Sequence, residues 1–247
     1  MAWRCSATTN EGLIQALHRE SIIKTDVVRN VMLSIDRKNF LPNDPFLRQY
    51  AYEDRPLPIG YNVTISAPHM HAMMLELLLP YLHKKNGQPI QVLDVGSGSG
   101  YLTVALAKIC DMVSANDPWR VVGIEHVPQL KQHGESVAKA HYADWVNSSK
   151  LQFHIGDGRS PQQVLGDSFT GECFDAIHVG AAAYELHDSL LALLKRGGAM
   201  VIPVGDQSDA QALLVCEKDA NGVIHTRQDS LSRFVPLTSV EAQLGDA

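Results

Sequence analysis

The chain has 247 residues, 45% of them hydrophobic and 19% charged, with a formal net charge of −6. That length holds one large α/β domain or two small ones, with an ample core, and the acidic balance argues against a global electrostatic grip on nucleic acid or an anionic membrane. The most apolar stretch near the middle, Met73 to Leu79, is too short to span a bilayer, the opening MAWRCSATTNEG is too polar for a signal peptide, and the four cysteines lack C-x-x-C spacing, so a cytosolic protein with reduced thiols is expected.

In chain order, Asn10 to His18 and Thr25 to Ile35 read as two short helices. Leu13, Ile14 and Leu17 supply an apolar face in the first, and Val27, Val28, Val31, Met32 and Ile35 in the second. Thr25 and Asp26 stand where an N-cap would. Phe40 to Gly60 is proline-rich and predicted irregular, and a stretch of that kind needs a surface to lie on. Pro68 to Leu82 is a third helix, with Met70, Met73, Met74, Leu77 and Leu78 at helical spacing.

After Gly87 the pattern alternates. Strands are predicted at Gln91–Val95, Val121–Glu125, Leu151–Ile155, Asp175–Val179 and Ala199–Pro203. Helices fall between them at Leu102–Ile109, Val127–Tyr142, Pro161–Leu165 and Tyr184–Leu194. Lys195-Arg-Gly-Gly198 is expected to close the last of these, with cations on its C-terminal dipole and glycine as C-cap. Ala212–Cys216 and Phe234–Leu237 are expected to finish the sheet as an antiparallel edge. The fold class is therefore α/β, a mostly parallel, doubly wound sheet with helices on both faces and an N-terminal helical extension. A single domain over 1–247 is expected, with 1–88 as a helical, substrate-covering elaboration and 89–247 as the α/β core.

In such sheets ligands bind beyond the carboxyl ends of the strands. The first strand ends in Asp94 and a loop with glycines at 96, 98 and 100. A dinucleotide fingerprint would place its third glycine at 101, which is Tyr101 here. G-x-G-x-G after an acidic strand end resembles motif I of the S-adenosylmethionine-dependent methyltransferases. The second strand ends in Glu125 and His126, where a carboxylate can accept from both ribose hydroxyls. At the third, Asp157 can accept from an adenine amine and Gly158 lets backbone approach the ring. The fourth gives His178-Val-Gly180-Ala-Ala-Ala183, small residues that leave room for a substrate. Each strand end taken singly also reads as a plain turn; the four together fit one ligand.

Ser66 lies in Val63-Thr-Ile-Ser-Ala-Pro-His-Met-His71, just before a helix. Locally it reads as an N-cap, with a substrate-facing hydroxyl as the other reading. No G-x-S-x-G elbow exists, so a hydrolase reading is set aside. His69 and His71 are two apart on a helix and do not share a face for a metal.

Together, MAWRCSATTNEGLI, VTISAPHMHA, LDVGSGSGYLT, GIEH, GDGR, DAIHVGAAA, VIPVG and VPLT resemble the protein-L-isoaspartate (D-aspartate) O-methyltransferases over nearly the whole chain. The resemblance implies a Rossmann-like methyltransferase fold, the cofactor S-adenosyl-L-methionine with S-adenosyl-L-homocysteine as product, and no metal. It implies methyl transfer to the free carboxylate of L-isoaspartyl residues, with D-aspartyl residues weaker substrates, and repair through a succinimide. The implied partners are peptides and proteins bearing these residues, met by a monomer without nucleic acid or membrane. Carried over by position, Ser66 is the active-site residue. The implied cofactor contacts are Val63, Thr64, Ile65, Ser66, His71, Asp94, Gly96, Gly98, Ser99, Glu125, His126, Asp157, Gly158, Thr238 and Gln243. The tail after Thr238 departs from the family pattern. Tyr52–Gly60 and Ala181–Ala183 are candidate walls of a peptide groove. Another methyltransferase, acting on RNA or a small molecule, would have no reason to keep VTISAPHMHA. A nicotinamide oxidoreductase would want glycine near Tyr101, and a non-catalytic adaptor would carry lesions in motif I.

Overall fold

Apolar runs with no polar alternation cannot leave a face to water, so they stack as neighbours inside a covered sheet. In the computed structural model, which describes residues 5–83, 88–114 and 117–245, they form the inner strands of a seven-stranded sheet. Its strands are β3 (Ile90–Val95), β4 (Trp119–Glu125), β5 (Leu151–Ile155), β6 (Phe174–Val179), β7 (Leu194–Val204), β8 (Gln211–Lys218) and β9 (Ile224–Ser232). They follow a two-stranded hairpin of β1 (Leu57–Gly60) and β2 (Val63–Ile65). The order in the large sheet is β5-β4-β3-β6-β7-β8-β9, parallel from β5 through β7 and antiparallel at β8 and β9. The strand order reverses between β3 and β6, which places the crevice at their carboxyl ends.

The helices are α1 (Asn10–Arg19), α2 (Asp26–Ser34), α3 (Pro45–Arg48), α4 (Pro68–Leu78), α5 (Tyr101–Val113), α6 (Pro128–His141), α7 (Ala143–Asn147), α8 (Pro161–Leu165), α9 (Asp188–Leu193) and α10 (Val240–Leu244). The Thr9 and Thr25 hydroxyls cap α1 and α2 by accepting from the amides of Gly12 and Val28. Their buried faces, Leu13, Ile14 and Leu17 with Val28, Val31 and Met32, join one continuous apolar cluster with α4, α5 and the sheet. A second cluster on the other sheet face takes in Leu165, Leu190 and Leu193.

Three expectations are corrected. Residues 195–198 do not end a helix. The helix stops at Leu193, and Lys195 and its neighbours already belong to β7, whose register with β6 shifts between Phe174 and Ala176. Lys195 Nζ bonds Asp175 and the Pro89 carbonyl, so its charge pins strands rather than a helix dipole. Residues 234–237 form no strand; the edge is β9, whose polar, mostly exposed pattern hid it. The proline-rich 40–60 stretch is not wholly irregular, since it contains α3 and β1. The β1–β2 turn runs through Tyr61 and Asn62, both at positive φ, as a two-residue hairpin requires.

The four cysteines are free and buried. Among the described residues no helix is long and apolar enough to cross a membrane.

Candidate active site

The glycine loop leaves β3 at Asp94 and turns into α5 at Tyr101. Gly98 sits at φ +53° and Gly100 at φ +84°, where a side chain is strained. At Gly100 a Cβ would also meet Gly134 Cα at 3.0 Å and the Phe153 ring at 3.3 Å. The turn thus packs α5 against α6 through bare backbone. The buried Glu125 carboxylate at the end of β4 holds the loop: Oε2 accepts from the Gly98 amide at 2.8 Å and Oε1 from Val127 at 3.0 Å.

Asp94 is paired in register with His178 of β6. It is 1% exposed, and its carboxylate accepts from Thr103 Oγ1 at 2.6 Å and meets His178 Nδ1 at 2.7 Å. The strand-end acid is therefore committed to the protein on both oxygens while still bordering the cavity.

Two hollows that share part of their lining lie over this floor. The larger, about 760 Å³, is lined by Val63, Thr64, Ile65, Ser66, His71, Asp94, Gly96, Gly98 and Ser99, with Pro56, His69 and His178, and on its far side by residues 231–236. The smaller, about 40 Å³, is lined by Glu125, His126, Asp157, Gly158, Thr238 and Gln243. Val63, Gly96, Gly180, Val235 and Pro236 border both. Every residue nominated as a cofactor contact lies on one wall or the other.

Gln243 closes the smaller hollow. Its Oε1 lies 3.0 Å from His126 Nε2, its Nε2 donates to the Tyr61 carbonyl at 3.0 Å, and its own carbonyl accepts from Asn62 Nδ2 at 3.1 Å. The hairpin tip, the end of β4 and α10 meet at this one side chain. Asp157 is tied to Arg159 by Nε and Nη2 at 2.6–3.0 Å, and these bonds hold its carboxyl below the ordinary range.

Ser66 precedes α4, but Ala67 is the N-cap residue and no side chain caps the helix locally. The Ser66 hydroxyl has no hydrogen-bond partner among the described residues. The capping reading is thereby corrected. The Ser66 carbonyl accepts from Arg37 Nη1 at 2.9 Å. Arg37 is 1% exposed and also donates to the carbonyls of Ala51 and Arg55; burial pushes its guanidinium down to about 10. Sequence reasoning missed Arg37 and Asp54, and the bond of His178 to Asp94, because the partners lie far away in the chain. His71 stacks on Tyr101 with ring centroids 4.7 Å apart. Burial, with Arg37 nearby, holds its imidazole well below the usual histidine range.

Ala182 and Ala183 are not free groove walls. Both are buried, and their amides donate to the carbonyls of Val235 and Pro203. The exposed rim is instead supplied by Leu231 and Arg233 beside Gln207 and Ala210. Among the described residues no cluster of histidine, cysteine or acidic side chains could hold a metal ion.

Residues 8–242 match the family model described as protein-L-isoaspartate(D-aspartate) O-methyltransferase. The chain is 46% identical to a protein-L-isoaspartate O-methyltransferase of Triticum aestivum, across 98% of this chain and 96% of that one. It is 39% identical to one of Caenorhabditis elegans, across 98% of both. A Plasmodium falciparum structure of this kind, in complex with S-adenosyl-L-homocysteine, superposes with a TM-score of 0.80 at 31% identity, covering 94% of this chain and 99% of that one.

Proposed function

The chain belongs to the protein-L-isoaspartate(D-aspartate) O-methyltransferase family, and from that premise we propose how its own residues carry the reaction. It is an S-adenosyl-L-methionine-dependent methyltransferase that methylates the free carboxylate of L-isoaspartyl residues in damaged peptides and proteins. In our reading D-aspartyl residues are weaker substrates, and the ester collapses to a succinimide that returns some normal aspartate. The chain works as one domain, a cytosolic monomer.

The walls fit the cofactor. In our reading Glu125 and His126, which line the smaller hollow, accept from the ribose hydroxyls. A Cβ at Gly158 would fall 2.3 Å from Val95 Cγ1, so this position must be glycine for the loop to pack against β3 where it lines the smaller hollow. Glu125, His126, Asp157, Gly158, Thr238 and Gln243 hold the adenosine part, and Gly96, Gly98, Ser99 and the 63–66 strand edge hold the remainder. When bound, S-adenosyl-L-methionine supplies an electrophilic methyl carbon and leaves as the neutral thioether S-adenosyl-L-homocysteine.

The residues around the larger cavity need not remove a proton. A terminal-type carboxylate has a reference pKa near ~3.5 and is ionised at neutral pH. What it needs is desolvation and aim. Ser66 provides a neutral hydroxyl donor beside the glycine loop. A strong cation there would stabilise the ground-state carboxylate, whose charge is lost as the transition state forms. Arg37 spends its donors on three carbonyls and does not line the cavity.

The observation that carries this reading is the uncommitted Ser66 hydroxyl in a cavity that shares a wall with the Glu125–Asp157 hollow. Transfer of a labelled methyl group to an isoaspartyl peptide, against its aspartyl twin, tests it.

A further inference from the structure

A hydroxyl residue at the N-cap takes the amide three residues on, and three helices of this chain begin that way. Thr9 accepts from Gly12, Thr25 from Val28 and Ser239 from Ala242. Ser66 and His69 have the same sequence spacing, with Ser66 one residue before the N-cap Ala67, and the Ser66 hydroxyl does not take the His69 amide. Asp54 takes it instead. In the first turn of α4, Pro68 has no donor, and Met70 and His71 both donate to the Ala67 carbonyl. That leaves His69 N–H, which donates to Asp54 Oδ1 at 2.9 Å. The same oxygen lies 2.9 Å from His69 Nδ1, so backbone and ring are held together.

Asp54 is built to stay there. Its side chain is 0% exposed against 22% for His69, whose ring reaches the large cavity. The next carbonyl along, that of Arg55, is gripped by Arg37 Nη2, and Arg37 Nη1 grips the Ser66 carbonyl. The segment Ser66–His69 is therefore clamped at its first carbonyl by a buried cation and at its last amide by a buried anion.

We propose that Asp54 is a positioning residue for Ser66: it caps α4 from the preceding loop so that the Ser66 hydroxyl stays free for the substrate carboxylate. This rests on the assignment of Ser66 made above. With Asp54 gone, the His69 amide is an orphan donor three residues from a serine, and the hydroxyl turns from the cavity to cap it.

The test is a double-mutant cycle on turnover of an isoaspartyl peptide, with S-adenosyl-L-homocysteine affinity measured alongside. Asp54→Ala should lower kcat about tenfold or more while cofactor affinity stays within about twofold. Because the effect passes through Ser66, Asp54→Ala/Ser66→Ala should turn over within about threefold of Ser66→Ala alone. Losses that multiply overturn the proposal and leave Asp54 a general scaffold residue. A Ser66→Ala enzyme with wild-type turnover overturns the assignment of Ser66 itself, and the proposal with it. Asp54→Asn keeps an acceptor for the His69 amide and should retain kcat within a few-fold. A folded Asp54→Asn enzyme as impaired as about tenfold contradicts the capping role, including the case in which Asp54→Ala does not fold.

Discussion

The Gly98 amide donates to Glu125 Oε2 across 2.8 Å, binding the tip of the glycine loop to the end of β4. One carboxylate thus shapes the loop, and under the proposed function its remaining lone pairs accept from the ribose. Glu125→Ala should weaken S-adenosyl-L-homocysteine binding by roughly 1.5–3 kcal/mol, because a charged acceptor loses hydroxyl partners. Calorimetry showing unchanged affinity would remove Glu125 from the site. Asp157→Ala should do less, since its oxygens are already shared with Arg159.

Gly98→Val should fold yet lose cofactor affinity. A Cβ at Gly98 has space, its nearest neighbour being Ile59 Cδ1 at 3.7 Å, so the damage comes from the positive φ and from branches in the approach path. A folded variant that retains affinity would show that the loop is structural only.

Ser66→Ala should cost turnover and little else. Aim and hydrogen bonding of this kind are worth about one to three orders of magnitude in rate. Because Ala67 rather than Ser66 is the N-cap, the stability loss should be below ~0.5 kcal/mol. Ser66→Asn keeps a polar side chain but enlarges it inside the cavity; a stable, fully active Ser66→Asn enzyme would sink the catalytic assignment.

His71 makes stability depend on pH. Its folded pKa is well below 6.5, so the unfolded chain binds the extra proton first. Stability should fall as pH drops below about 6.5, and keep falling until the folded state can be protonated. His71→Phe keeps a ring against Tyr101 and removes this proton uptake. Melting temperatures from pH 8 to pH 5 should decline less steeply in the variant; parallel declines would mean His71 contributes nothing to the slope.

Much of this was legible in the residues because parallel strands covered on both faces must be apolar runs. Leu151–Ile155 and Pro161–Leu165 fall where periodicity places them. The failures share a cause. β9 is polar and mostly exposed, so its place at the edge is set by pairing with β8, which no local pattern reveals. Lys195 looked like a helix terminator because its partner, Asp175, lies on a neighbouring strand. Ser66 looked like a cap because the true acceptor, Asp54, lies 15 residues from the His69 amide. The residues lining the two hollows were readable as strand ends, whereas the groups that hold Ser66 in place are tertiary.

The central claim is that this cavity aims an isoaspartyl carboxylate at the methyl donor. It is tested most directly by the rate of labelled methyl transfer from S-adenosyl-L-methionine to an isoaspartyl peptide and to the same peptide with normal aspartate. The account predicts transfer to the first, essentially none to the second, and a base-labile product. Equal labelling of both peptides, or labelling of neither by enzyme that binds S-adenosyl-L-homocysteine, would contradict it.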